Sequence, residues 1–338
     1  MGIDERKKRW RDLYSRKAKT LVLIDYPLPG RPWPYPENMQ ARLDWASESY
    51  RRQLHNMEWL DDDRIPALHL YTGTELFAEA FGCKVHYPGN DMPFALPIIG
   101  SAGEVAAIKP PDIYGACLGE IFELARRLRQ RNGDAILHLP DIQSPLDIAA
   151  LIWDKNDLLI AMLEDAPAVQ GLIEMIEHTL TKFLDAWRQE FGTEYIAHYP
   201  DYYMDSGITL SEDEIGTFSP AMFEEYCLGP LNRLSARYNG IGIHCCANAT
   251  FQWENMKKIT GLKMLNICQP PEVSLKAYEY FADTTAMMYG WCGDGAPSVE
   301  WANNYPKDAH VVISCAAQTR DEAVMYCDIL REIVAMRG

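Results

Sequence analysis

A few side chains in this 338-residue sequence combine in a way that could hold a metal. The stretch Gly240-Ile241-Gly242-Ile243-His244-Cys245-Cys246-Ala247-Asn248 runs from apolar residues straight into a His-x-Cys pair. Side chains alternate faces along a strand, so His244 and Cys246 share one face and Cys245 takes the other. An imidazole and a thiolate on one face make half a zinc site. Another apolar run, His310-Val311-Val312-Ile313-Ser314-Cys315, also ends in a cysteine. If both strands end at the same mouth of one barrel, His244, Cys246 and Cys315 can hold one metal. The competing reading makes them ordinary core thiols, since the chain has nine cysteines and a free cysteine packs well as a small hydrophobe. Spacing leaves both readings open.

The elements that would position these residues follow a strand-then-helix rhythm. Strand-like runs fall at 66–71, 84–87, 135–139, 194–199, 240–246, 263–268, 286–292 and 310–315, and helical patterns separate most of them. About eight such units in one chain predict an α/β fold of the (β/α)8 TIM-barrel kind. An open doubly wound sheet is the alternative, but no Gly-x-Gly-x-x-Gly follows a strand, and Gly290 to Gly295 is only a glycine-rich turn. Residues 61–338 are assigned to the barrel. Residues 1–60 are assigned to an N-terminal extension packed on it: a charged helix over 4–19, a short apolar run at 20–25, a proline-rich loop and a helix over 37–60.

In such a barrel the active site lies beyond the C-terminal ends of the strands. Those ends carry Asp141, Gln143, Asp205, His244, Cys246, Cys268, Gln269, Cys292, Asp294 and Cys315. Cys268 and Cys292 read individually as small buried hydrophobes. Gln143 and Gln269 are candidates for substrate contact. Asp205, in Met204-Asp205-Ser206-Gly207, reads either as a loop-capping carboxylate or as a group in the mouth, where it could complete the metal site, orient a ligand or act as acid or base. His69 and His86 read as structural.

A net charge of −16 argues against nucleic-acid binding, which needs clustered Lys and Arg. The one basic cluster, Arg6-Lys7-Lys8-Arg9, reads as a solvated helix face. No uncharged apolar run approaches the roughly 20 residues that a membrane helix requires. A soluble, cytoplasmic protein with reduced thiols is the expectation.

Several stretches resemble the uroporphyrinogen decarboxylase superfamily, in particular its zinc-dependent methyltransferase branch. They are Glu75-Leu76-Phe77-Ala78-Glu79-Ala80-Phe81-Gly82-Cys83, Gln143-Ser144-Pro145-Leu146-Asp147, Met204-Asp205-Ser206-Gly207, Ser219-Pro220-x-x-Phe223-Glu224-Glu225-Tyr226 leading to Pro230, and His244-x-Cys246. The resemblance spans about residues 60–336. It implies zinc held by His244, Cys246 and Cys315, with a corrinoid such as methylcobalamin, on a corrinoid protein, as methyl carrier. It also suggests a homodimer. The chain departs from the family where Ala247 replaces the glycine usual after His-x-Cys. It also lacks the N-terminal Arg-Gln-Ala-Gly-Arg segment of true uroporphyrinogen decarboxylases. Without those arginines, and with an acidic balance, porphyrin decarboxylation is not expected. The leading expectation is methyl transfer between a corrinoid and a thiol or other small heteroatom, with Asp205 positioning substrate. The alternatives are a decarboxylase or lyase in which Asp205 stabilises a cationic intermediate, and a non-catalytic protein that binds a corrinoid or other small ligand.

Overall fold

Among the described residues, ten short strands form where β-branched and apolar residues cluster between turn residues. They are β1 (Thr20–Asp25), β2 (Lys84–His86), β3 (Phe94–Leu96), β4 (Tyr195–Ile196), β5 (Tyr203–Met204), β6 (Ile208–Ser211), β7 (Ile241–Cys245), β8 (Leu262–Cys268), β9 (Ala286–Gly290) and β10 (Val311–Ala316). The structure, a computed structural model, describes residues 1–26, 30–290 and 299–337. Six strands make one parallel sheet in the order β1-β10-β9-β8-β7-β6. Single bridges carry the pairing onward: Leu68 to Leu137, His138 to Ile196, and Gln143 to Ser211 of β6. With helices packed outside, this is the expected α/β barrel arrangement.

Three elements differ from the sequence expectation. Residues 20–25, assigned to the extension, are a full strand of the sheet, with Thr20 in register with Val311 and Asp25 with Ala316. The sheet therefore does not begin at residue 61. Lys84–His86 stays outside the sheet and pairs antiparallel with β3, its side chains half in solvent. β6 is not among the strand-like runs of the sequence. It is only four residues long and polar at alternate positions, too short to give a periodic signal.

The open edge of β1 is closed by side chains. The Val22 N–H donates to Asp63 Oδ2 at 2.7 Å and the Ile24 N–H to Asp62 Oδ2 at 3.1 Å, while the Asp63 N–H donates to the Val22 carbonyl at 2.7 Å. These buried carboxylates need cations, and the basic N-terminal helix, together with Arg331 of the C-terminal helix, supplies them. Arg6, fully buried, donates to Asp62 at 2.6 Å, and Arg9 and Arg331 reach Asp63 at 2.6 and 2.8 Å. Arg6 and Arg9 of the cluster thus serve buried carboxylates, while Lys8 stays on the solvated face. Removing one partner would leave a buried charge unpaired, a change that costs about 3–5 kcal/mol.

Behind β4, the helices Ala116–Asn132 and Ala166–Phe191 pack through Phe122, Phe183, Trp187 and Phe191. The long helix stops at Gly192, whose φ of +88° is open to glycine without strain. The eight described cysteines are all free thiols. Among the described residues, no helix is long and apolar enough to cross a membrane.

Candidate metal centre and active-site mouth

β7 delivers His244 at its end and Cys246 just past it, and β6, its neighbour, delivers Asp213. Ser211 is in register with His244, and the Glu212 N–H donates to the His244 carbonyl at 2.8 Å. The turn that follows is held from behind. Ser144 caps the helix Pro145–Ile152 by accepting the Asp147 N–H at 3.0 Å. The Asp147 carboxylate then accepts the N–H groups of Asp213 at 2.6 Å and Glu214 at 3.1 Å. So fixed, Asp213 accepts the Cys246 N–H at 2.5 Å and lies 4.0 Å from His244 Nε2. The ligating atoms of Asp213, His244 and Cys246 all lie within 4.8 Å of one another.

The tautomer of His244 follows from its neighbours. Asn266, fully buried on β8, donates its amide N–H to the Met288 carbonyl at 2.7 Å, which turns its carbonyl Oδ1 toward His244. His244 Nδ1 meets that oxygen at 2.5 Å and must be the donor. The Nε2 lone pair is left pointing toward Asp213 and Cys246. This is the arrangement of a metal-ligating histidine, one nitrogen donating and the other free to ligate. Tyr199 packs edge-on against the ring at a centroid distance of 5.1 Å. Gln269 donates to the Cys246 carbonyl at 2.8 Å and so anchors the backbone that carries the thiol. Burial first, and then the Asp213 carboxylate, push the Cys246 thiol up to about 12. A divalent cation reverses that logic and favours the thiolate. The donor set of imidazole, thiolate and carboxylate, with a locked tautomer, fits zinc.

Of the candidates from sequence, His244 and Cys246 come together and Gln269 supports them. Cys315 does not join them. Ser314 and Ala316 line the barrel cavity, and strand alternation turns Cys315, which is buried, to the opposite face. Asp205 is at the other end of the barrel. Ser206 and Gly207 lead directly into β6, and Ser206 receives hydrogen bonds from Asn239, which precedes β7, and from Lys263 near the start of β8. The missed strand β6 explains the misplaced carboxylate: Asp205 lies three residues before β6 and Asp213 two residues after it. The acidic turn from Ser211 to Glu214 was visible in the sequence, but without β6 nothing placed it at the mouth. Gln143 is buried and donates to Asp141 Oδ1 at 2.6 Å, and the same oxygen lies 2.9 Å from His198 Nε2. Cys268 ends β8 beside Cys246. Cys292 and Asp294 lie outside the described residues.

On the far side of Tyr199 opens a cavity of about 830 Å³. His69 and His138 stack there, with ring centroids 4.1 Å apart at an interplanar angle of 21°. Together with Asp201 they form a second cluster whose ligand-capable atoms lie within 4.8 Å of one another. Arg64 pairs with Asp25 and reaches Asp201 at 3.5 Å, and Ser314 donates to Asp25 at 2.5 Å. His69, read as structural, therefore lines this cavity of about 830 Å³.

A parallel barrel with polar groups gathered at its C-terminal mouth defines the class of the molecule. The uroporphyrinogen decarboxylase (URO-D) family model matches residues 64–288, most of the chain, and the chain belongs to that family. Its fold is similar to that of a methyltransferase from Methanosarcina mazei, with a TM-score of 0.67 over 98% of each chain at 12% identity. No curated protein matches the sequence.

Proposed function

We propose that the protein is a zinc-dependent methyltransferase that moves a methyl group between a corrinoid, carried as methylcobalamin or on a corrinoid protein, and a thiol or other small heteroatom. The observation that carries this reading is the locked His244 tautomer, with Nε2 directed at Cys246 and Asp213. Those three residues would hold the zinc, Asp213 standing where sequence spacing suggested Cys315. A zinc ion bound there keeps a thiol acceptor ionised at neutral pH. The chain's own residues do the rest. Asn266 holds the imidazole, Gln269 and Asp213 hold the Cys246 backbone, and Tyr199 walls the site from the large cavity. The fold shared with a methyltransferase agrees with this reading. Asp205, on which a decarboxylase reading depended, lies at the opposite end of the barrel. The test is methyl transfer from methylcobalamin to a panel of small thiols by zinc-loaded protein. Turnover lost in Cys246→Ala is the expected result, and no transfer with zinc bound would overturn the proposal.

A further inference from the structure

The two turns that carry Asp213 and Cys246 are locked to each other at two further points. The turn after β6 passes through Asp213 and the short helical turn Glu214–Gly216, and the turn after β7 passes through Cys246, Ala247 and the short helical turn Thr250–Gln252. Ala247 packs directly on Gly216. A methyl group placed on Gly216 would lie 2.7 Å from the Ala247 Cβ. Gly216 is not in the left-handed region, so what excludes a side chain there is Ala247 and not its own backbone. Carbon atoms pack at roughly 3.5–4.0 Å, and a Cβ has no torsion that could move it off its backbone. An alanine at position 216 would therefore push one turn from the other by about 1 Å.

The second point of attachment pulls the other way. Gln252 is fully buried and donates its amide N–H groups across to the first turn, to the Ile215 carbonyl at 3.2 Å and the Phe218 carbonyl at 2.9 Å. Asn255, also buried, donates to Gln252 Oε1 at 3.3 Å and to the Pro220 carbonyl at 2.8 Å, which holds the Gln252 amide in place. Ile215 and Phe218 bracket Gly216 in the chain. The Gln252 amide thus draws the turns together, and the Gly216–Ala247 contact stops their approach.

The groups of the metal site sit just beyond this contact. Asp213 lies three residues before Gly216, and Cys246 immediately precedes Ala247. The stop therefore sets the separation at which Asp213 accepts the Cys246 N–H at 2.5 Å and stands 4.0 Å from His244 Nε2. The contact can also be built from the other side. Once the Ala247 methyl is gone, a methyl on residue 216 next meets the Cα of residue 247 at 3.8 Å and the Asn248 carbonyl oxygen at 3.9 Å, which is ordinary packing. Moving the methyl across the gap keeps the spacing.

We propose that Gly216, Ala247 and Gln252 are positioning residues for the metal centre, and that the Gly216–Ala247 contact is the spacer that sets how far Asp213 stands from Cys246. The inference rests on the zinc reading and adds to it what places the third ligand. The test is zinc affinity by chelator competition, with the visible spectrum of the cobalt(II)-loaded full chain as a report on ligand geometry, for wild type, Gly216→Ala, Ala247→Gly and the double variant. Gly216→Ala lowers zinc affinity about 10- to 100-fold, as loss of an outer partner of a ligand does, and changes the cobalt spectrum while far-UV circular dichroism stays the same. The double variant restores both affinity and spectrum, which a general loss of stability would not allow. Ala247→Gly alone loses the spacer without a collision, weakens zinc a few-fold, and carries the test if Gly216→Ala does not fold. Wild-type affinity in either single variant, or a double variant as weak as Gly216→Ala, overturns the proposal and leaves the zinc reading standing. Wild type that binds no zinc, or keeps it in His244→Ala, overturns the zinc reading and this inference with it.

Discussion

Two polar clusters share the mouth of one barrel and, beyond the thiol that only one of them carries, differ in where their protons are. At Asp213–His244–Cys246, Asn266 fixes the imidazole proton on Nδ1, so every group facing the centre is an acceptor or a thiol. At His69–His138–Asp201, the Tyr71 N–H occupies the His69 Nδ1 lone pair and leaves that neutral ring's proton on Nε2. The first arrangement suits a cation; in the second, the His69 Nδ1 lone pair is already taken by the Tyr71 N–H. Both contain histidine and aspartate with ligand-capable atoms within 4.8 Å, so that shared pair alone does not separate them. The backbone and amide neighbours, which set the tautomers, do.

The largest effects test the first cluster. Cys246→Ala and His244→Ala are each expected to lower metal affinity beyond the roughly 100-fold that marks the upper end for loss of an outer hydrogen-bond partner. Transfer activity should fall in parallel, and metal titration with a chromogenic chelator measures the affinity. Asn266→Ala releases the tautomer without touching a ligand. Its affinity should drop about 10- to 100-fold while far-UV circular dichroism stays unchanged. An unchanged affinity would mean that the ring orients itself.

The histidine side has its own signature in pH. Glu75, buried behind it near Asp141 and Arg42, is raised from 4.5 to about 8, first by burial. The folded state holds this proton more tightly than the unfolded chain. The resulting stability is fully present below pH 4.5 and is lost as pH rises through about 8. Unfolding free energy from urea titrations should therefore decline across that window by on the order of a few kcal/mol. Glu75→Gln should flatten the decline, and an equal slope in the variant would assign it to other groups. The smallest expected effect is that of Gln269→Ala, which leaves the Cys246 carbonyl without its donor and should weaken metal binding only a few-fold in the same chelator titration.

Much of this was legible in the sequence, for reasons that also explain the gaps. Long apolar runs with distant helical partners, such as residues 240–246 and 263–268, declare themselves by composition, and with them come the barrel and the His244–Cys246 pair. β6 did not, because four residues with alternating polarity carry no periodicity that stands out from a loop. That one omission moved the carboxylate from Asp213 to Asp205, from one end of the barrel to the other. Cys315 was misjudged differently. The strand was right, but the face on which a residue points depends on register with Ser314 and Ala316, which only the paired sheet fixes. Thr20–Asp25 was seen as a strand yet set outside the barrel, because nothing in its own sequence says that Asp62 and Asp63 will close its edge. The histidine cavity was out of reach: His69, His138 and Asp201 are far apart in the chain, and a stacked pair leaves no spacing motif.

The most direct test of the central claim is zinc content per chain, measured by mass spectrometry on protein purified without chelator, for wild type, Asp213→Ala and Cys315→Ala. The account predicts about one zinc in wild type, none retained in Asp213→Ala, and wild-type content in Cys315→Ala. Zinc kept in Asp213→Ala and lost in Cys315→Ala would contradict it and place the metal between β7 and β10 instead of between β6 and β7.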